Sequence, residues 1–235
     1  MNFFLIGRGK VGTAFFNYFN IRKIHVTHCS ASEISNRRGI AFVAVSDEAV
    51  HEVVLNIRNK NPELHIVHFS AVSDFEDNMV FLLHPYSSIS KKTDISQIIF
   101  TLWGKSNSPI ENAIESIGLQ FIYAGRKPSP LYHISAVISG NFTQYFFLAA
   151  SEMLKREGFS ATDSRKLIDQ LIRSSIVNIN EAGIKGITGP ASRDDSDIIK
   201  KETEQLMPIN RELSDVFSNI NKLIKLAVKN DNIFQ

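Results

Sequence analysis

The sequence predicts an α/β chain in two parts, a doubly wound parallel sheet followed by an all-helical half. Three observations carry this reading. Short runs rich in Val, Ile and Phe alternate with helical or turn-rich stretches up to residue 103, and a glycine-spaced turn joins the first run to the first helix. From about Pro128 the β-branched runs thin out and long amphipathic stretches take over.

Six runs read as strands: residues 3–6, 24–27, 40–45, 65–69, 79–83 and 98–103, mostly bounded by Gly, Pro, Asn, Asp or Ser. Residues 10–19 and 48–58 carry helical spacing between them, and strands alternating with helices make a parallel sheet. The linkers after Phe69 and Leu83 are short, so some later crossovers are expected to be loops. Pro128 and Pro130 mark the seam between an expected domain 1–128 and an expected domain 129–235. Beyond it, residues 131–157, 163–182, 195–205 and 210–229 read as four helices, and the polar tail 230–235 is expected to fray.

At 235 residues the chain can bury a substantial core. Its 26 basic and 24 acidic side chains leave a net charge of +2, and basic pairs such as Arg37-Arg38 and Lys200-Lys201 are isolated, so no nucleic-acid partner is expected. The single cysteine, Cys29, excludes an intrachain disulfide; with an N-terminus that opens directly into a strand, the protein is expected in the reducing cytoplasm. No apolar run reaches the ~18 residues a membrane span needs, the best one, residues 134–153, being broken by Ser, Asn, Thr, Gln and Glu. No metal site is expected.

The turn is Gly7-Arg8-Gly9-Lys10-Val11-Gly12, set directly between the apolar run Phe3-Phe4-Leu5-Ile6 and a helical stretch. In that context Gly-x-Gly-x-x-Gly reads as a Rossmann dinucleotide fingerprint. Gly7 permits the tight turn, Gly9 lets the backbone approach a pyrophosphate, Gly12 lets helix and strand pack closely, and the helix N-terminus faces the phosphates. Sites that prefer NAD usually carry an acid at the end of the second strand. Here His28-Cys29-Ser30 stands there and no carboxylate comes until Glu33, whereas Arg8, Arg37 and Arg38 suit a 2′-phosphate, so NADP is favoured and NAD remains open. Arg37 and Arg38 are equally readable as surface charges. Where strand ends should open to ligand stand Ser46, Ser70 and His84-Pro85. Ser46 is also a good N-cap for the following helix, and His84 has packing at the seam as its alternative.

The chain resembles Rossmann-like oxidoreductases whose second half is a helical domain of unassigned function, relatives of pyrroline-carboxylate reductase, ketopantoate reductase and 6-phosphogluconate dehydrogenase. The resemblance spans nearly the whole chain. It rests on residues 7–12, on Ala44-Val45-Ser46-Asp47, on Leu83-His84-Pro85, on Tyr132-His133 through Asn141, and on Thr188-Gly189-Pro190 followed by Arg193-Asp194. The chain departs from the pattern at Ala71 and Asp194, where glycine is expected, and at Gly140, where serine is expected. The resemblance implies a 6-phosphogluconate dehydrogenase C-terminal-like helical domain, a homodimer formed through it, and hydride transfer to or from a small, anionic keto or imine metabolite.

Such chemistry needs a nicotinamide, a proton donor or acceptor, and groups that fix the substrate. His133 and Asn141, roughly 80° apart on one predicted helix at about 100° per residue, can face one cleft as acid-base group and carbonyl partner. Each has a structural alternative, a backbone-bonded helix-start histidine and a polar group satisfied within the helical bundle. Arg193 can grip a carboxylate bidentately, or pair with Asp194, Asp195 or Asp197. The sequence lacks a lysine just before His133, where 6-phosphogluconate dehydrogenase-like enzymes use one, and Lys127 is the nearest. A protein that binds NADP(H) as a regulator without turnover is therefore the second reading.

Overall fold

The computed structural model describes residues 1–125 and 127–230. Seven strands form one sheet: β1 (Phe3–Ile6), β2 (Val26–His28), β3 (Ile40–Val43), β4 (His65–His68), β5 (Val80–Pro85), β6 (Ile99–Trp103) and β7 (Gln120–Gly125), in the spatial order β2-β1-β3-β4-β5-β6-β7. All neighbours are parallel except β5 and β6. That pair is the one departure from the parallel sheet the sequence predicts. Residues 86–98 between them hold only a 3-10 turn, Ile95–Gln97. The chain needs no helix to cross back, because β6 starts at the edge where β5 ends.

Helices α1 (Lys10–Ile21), α2 (Asp47–Lys60) and α3 (Ser108–Ser116) cover the sheet, α1 and α3 on one face and α2 on the other. The α1 face is built of phenylalanines. Phe15 lies fully buried, its ring centroid 4.6 Å from Phe69, 5.8 Å from Phe100 and 6.0 Å from Phe42. The α2 face is aliphatic, with Val50, Val54 and Ile57 set against Val43 and Ile66. Neither α3 nor β7 was among the expected elements. Asn107 caps α3 by accepting from the Ile110 N–H, and Pro109 fits its first turn.

The expected helix 131–157 is present with a change of pitch inside it: α4 (Pro130–Ala136), a π-helical turn at Val137–Phe142, and α5 (Thr143–Arg156). The other expected helices are α6 (Ala161–Ala182), α7 (Ser196–Leu206) and α8 (Arg211–Lys229). Ser160 and Asn210 cap α6 and α8, each accepting from the N–H three residues on. Contacts divide the chain into two compact units, Met1–Tyr145 and Phe146–Gln235. The second buries few apolar side chains, Ile168, Ala191, Leu213 and Ala227, and holds α8 to α7 through the buried Ser214, whose Oγ donates to the Thr203 carbonyl at 2.7 Å. Among the described residues no helix is long and apolar enough to cross a membrane. Most of the tail expected to fray, residues 231–235, lies outside the described residues.

Candidate functional site

The glycine turn has the geometry its spacing implies. Gly7 has φ +111°, and a Cβ there would stand 2.1 Å from the Ala44 carbonyl oxygen, so only glycine fits. A Cβ on Gly12 would meet the Gly7 carbonyl oxygen at 2.4 Å, which is the close helix-strand approach. Gly9 faces open space instead. It stands at the N-terminus of α1, which has no side-chain cap and no acid in its first turn. Open backbone and an uncapped, positive helix end form a cradle for a phosphate. Arg8 and Lys10 are exposed beside it, and His28 Nε2 braces the turn from β2, 3.1 Å from the Gly7 carbonyl oxygen.

At the end of β2 the fold brings in a carboxylate that sequence distance hid. Ser30 and Glu33 form a reciprocal cap on the 3-10 turn Ala31–Ile34. The Ser30 N–H and hydroxyl both donate to Glu33 Oε2 at 2.7 Å, and the Ser30 hydroxyl lies 2.7 Å from that of Ser32. The Ser30 N–H above all, then its hydroxyl, holds the Glu33 carboxyl below its usual range, and the Arg37 charge adds to this. Arg37 thus stands close to Glu33, with its guanidinium over the Phe4 ring.

The carboxyl ends of β3, β4 and β5 carry the other candidates. Ser46 is exposed at the N-cap position of α2 without bonding a backbone N–H, so capping, its simpler role, is not what it does. Ser70 is buried, its hydroxyl 3.1 Å from Ser73. His84 is the best connected. Its Nδ1 lies 2.7 Å from Tyr132 Oη, which lies 2.6 Å from Thr101 Oγ1, and the Trp103 indole N–H donates to Thr101 Oγ1 at 3.0 Å. The Tyr132 ring meets His84 and Trp103 edge-on and Tyr86 at a tilt. Burial, reinforced by the His133 charge and opposed by Asp47, pushes His84 down to about 4. His68 at the end of β4 is also pushed down to about 4 by burial, and its Nδ1 has no partner among the described residues. The sequence assigns no site role to Thr101, Trp103 or His68 and names Tyr132 only within a motif; the pairing of Thr101 with His84 across two strands and the packing of Tyr132 from α4 bring the set together.

His133 and Asn141 are both exposed. The π-helical turn between them has more residues per turn than an α-helix, so the step of about 100° per residue does not carry through it. Arg193 is exposed and paired with Asp195 at 3.1 Å, and Lys127 with Asp74 at 2.8 Å.

Residues 104–224 match the profile of a family described as a domain of unknown function, DUF2520. The chain belongs to that family. No curated protein matches the sequence. Among solved structures, BF3122 of Bacteroides fragilis, described as a candidate NADP oxidoreductase, is 20% identical with TM-score 0.74, over 95% of this chain and 97% of that one. Pyrroline carboxylate reductase of Plasmodium falciparum with NADP bound is 12% identical with TM-score 0.62, over 96% and 98%. The reductive aminase of Aspergillus terreus in complex with NADPH and ethyl levulinate is 15% identical with TM-score 0.66, over 97% and 93%. At these identities the likeness is one of fold: a Rossmann-type sheet followed by helices.

Within the DUF2520 segment the departures noted in the sequence have local solutions. Asp194 takes φ +64°, the left-handed region that glycine enters freely. Its carboxylate is held there by Lys225 and Lys229, which also hold it down to about 2. A Cβ on Gly140 would meet only Ser88 Oγ, at 4.0 Å, so nothing else presses on this position. Ser88 instead accepts from Gln144 Nε2 at 2.8 Å, tying the start of α5 to the loop after β5.

Proposed function

We propose that this DUF2520 chain is an NADP(H)-dependent oxidoreductase, with NAD as the weaker cofactor, that moves a hydride to or from a small, anionic keto or imine metabolite. The observation that carries the reading is the strand-glycine-helix turn: a Gly7 and Gly12 that admit no side chain, a Gly9 open to a ligand, and an uncapped α1 N-terminus. The structures of like fold include two that hold NADP or NADPH. Residues 7–12, with Arg8 and Lys10, would hold the pyrophosphate, Ser30 the ribose end, and Ser46 and Ser70 the approach to the nicotinamide. The bound cofactor supplies or accepts the hydride. His84, His133, Asn141 and Arg193 are assigned to the substrate, His133 as acid-base group, Asn141 on the carbonyl, His84 and Arg193 in binding. The division of labour is nucleotide in 1–128, substrate and dimerisation in 129–235, and the working form is a cytoplasmic homodimer.

Separate titrations with NADPH and NADH, followed by mixing the loaded protein with a panel of keto acids and cyclic imines, test this. Tighter NADPH binding and oxidation of the bound cofactor are expected. No binding at millimolar nucleotide would remove the reading. A non-catalytic NADP(H) binder is the second reading, supported by the pairing of Arg193 with Asp195 and by the absence of a lysine just before His133. Binding with no turnover across the panel would favour it.

A further inference from the structure

The hydrogen bonds that end on His84 have a direction. An indole N–H can only donate, so Trp103 gives its hydrogen to Thr101 Oγ1. Thr101 has one hydrogen of its own and two takers, Tyr132 Oη at 2.6 Å and the His84 carbonyl oxygen at 3.4 Å. The contact between Tyr132 Oη and His84 Nδ1 is 2.7 Å. That is the usual length for a hydroxyl donor, whereas a ring N–H donating to oxygen sits nearer 2.9–3.0 Å. A phenol is also the better acid and an imidazole nitrogen the better base. With Tyr132 donating to His84, the short contact to Thr101 is filled by the Thr101 hydrogen.

We infer that Trp103, Thr101 and Tyr132 are positioning residues, a one-way chain that holds His84 as the neutral imidazole with its hydrogen on Nε2, presented as a donor to a carbonyl oxygen. Nδ1 is taken up by Tyr132, and Nε2 has no hydrogen bond among the described residues. A neutral imidazole that keeps its N–H can polarise a carbonyl without giving the proton away. The groups facing His84 are consistent with this state. Burial disfavours the charged ring most, His133 on α4 adds to this, and the two outweigh Asp47 on α2, which favours a positive charge. What receives the bond rests on the proposed function; the chain of donors does not.

The test is the ring-nitrogen NMR spectrum of His84 in the full-length protein, with resonances assigned by loss in His84→Gln. A bare Nδ1 and a protonated Nε2 are expected from pH 5.5 to 8. In Tyr132→Phe, which keeps the ring contacts, and in Thr101→Val, which cuts the chain one step back, a mixture of tautomers is expected. A hydrogen on Nδ1 in the wild type, or an unchanged tautomer in Tyr132→Phe, overturns the inference. NADPH titration of the same samples keeps the two readings apart, since a protein that binds no nucleotide yet shows the Nε2–H tautomer loses the functional reading and retains this one. Where turnover is found, Tyr132→Phe should lower kcat roughly ten-fold and leave NADPH affinity within about two-fold.

Discussion

Two glycines of one turn ask for opposite outcomes. A methyl on Gly7 would overlap the Ala44 carbonyl oxygen in a backbone held at φ +111°, so Gly7→Ala should destabilise the fold by about 1–3 kcal/mol, read as a lowered urea midpoint. Gly9→Ala meets nothing and should leave that midpoint unchanged while weakening NADPH binding, because the methyl enters the space left for the phosphate. Equal stability losses in both variants would contradict the cradle. A second residue-scale prediction concerns pH. His68 and His84 titrate near 4 in the fold against a usual 6.5. Between those values the unfolded chain binds more protons, so stability is complete above pH 6.5, falls as the pH drops, and levels off below about 4. The loss is of order 3 kcal/mol for His68, and less for His84 after solvent screening. His68→Phe removes a titrating ring whose buried Nδ1 has no partner, so urea unfolding should find it more stable than wild type at pH 5 and close to wild type at pH 7.5. Equal changes at both pH values would mean that titration is not the cause.

At the scale of the element, the 3-10 turn after β2 governs cofactor choice within the proposed function. Glu33 bonds the Ser30 N–H and hydroxyl where a 2′-phosphate would need donors, and Arg37 stands near enough to lower the Glu33 carboxyl. Glu33→Ala should therefore raise the preference for NADPH over NADH, and Arg37→Ala should lower it, each roughly three- to ten-fold in the ratio of Kd values. A ratio that moves in neither variant would place the ribose elsewhere. This turn also marks where the sequence stopped being readable. Glu33 stands beyond the end of the second strand in the sequence, and spacing in a row of residues does not reveal a turn that folds back on its own cap. Strands β1, β3, β4 and β5, buried along most of their length, and β6, with Phe100 and Leu102 buried, were legible because apolar side chains must line a covered sheet. Strand β7 was not, being an edge strand that leaves Ile122 and Tyr123 exposed. The glycine turn was legible because its chemistry is local. The set of His84, Thr101, Trp103 and Tyr132 was not, because only the antiparallel pairing of β5 with β6 and the packing of α4 assemble it.

For the molecule as a whole, the contrast between the two units argues for a partner. The first unit buries its sheet on both faces. The second leaves Leu148, Leu171, Leu223, Ile176 and Val177 each more than half exposed and keeps Ser164 Oγ buried without a partner among the described residues. Covering a leucine stabilises by about 1.5–3 kcal/mol, so several such side chains brought together across a two-fold axis offset a large part of the cost of association. A two-fold homodimer sets the same surface of each copy against the other, so every apolar side chain it covers is covered twice. Sedimentation should give twice the 26.4 kDa of one chain at micromolar concentration, with a Tm that rises with protein concentration. Leu171→Glu, a charge placed on the exposed face of α6, should give a monomer that keeps the far-ultraviolet spectrum of the wild type and loses the concentration dependence. A wild type that sediments as a monomer, or a Leu171→Glu variant that remains a dimer, would move the interface away from this face or remove it.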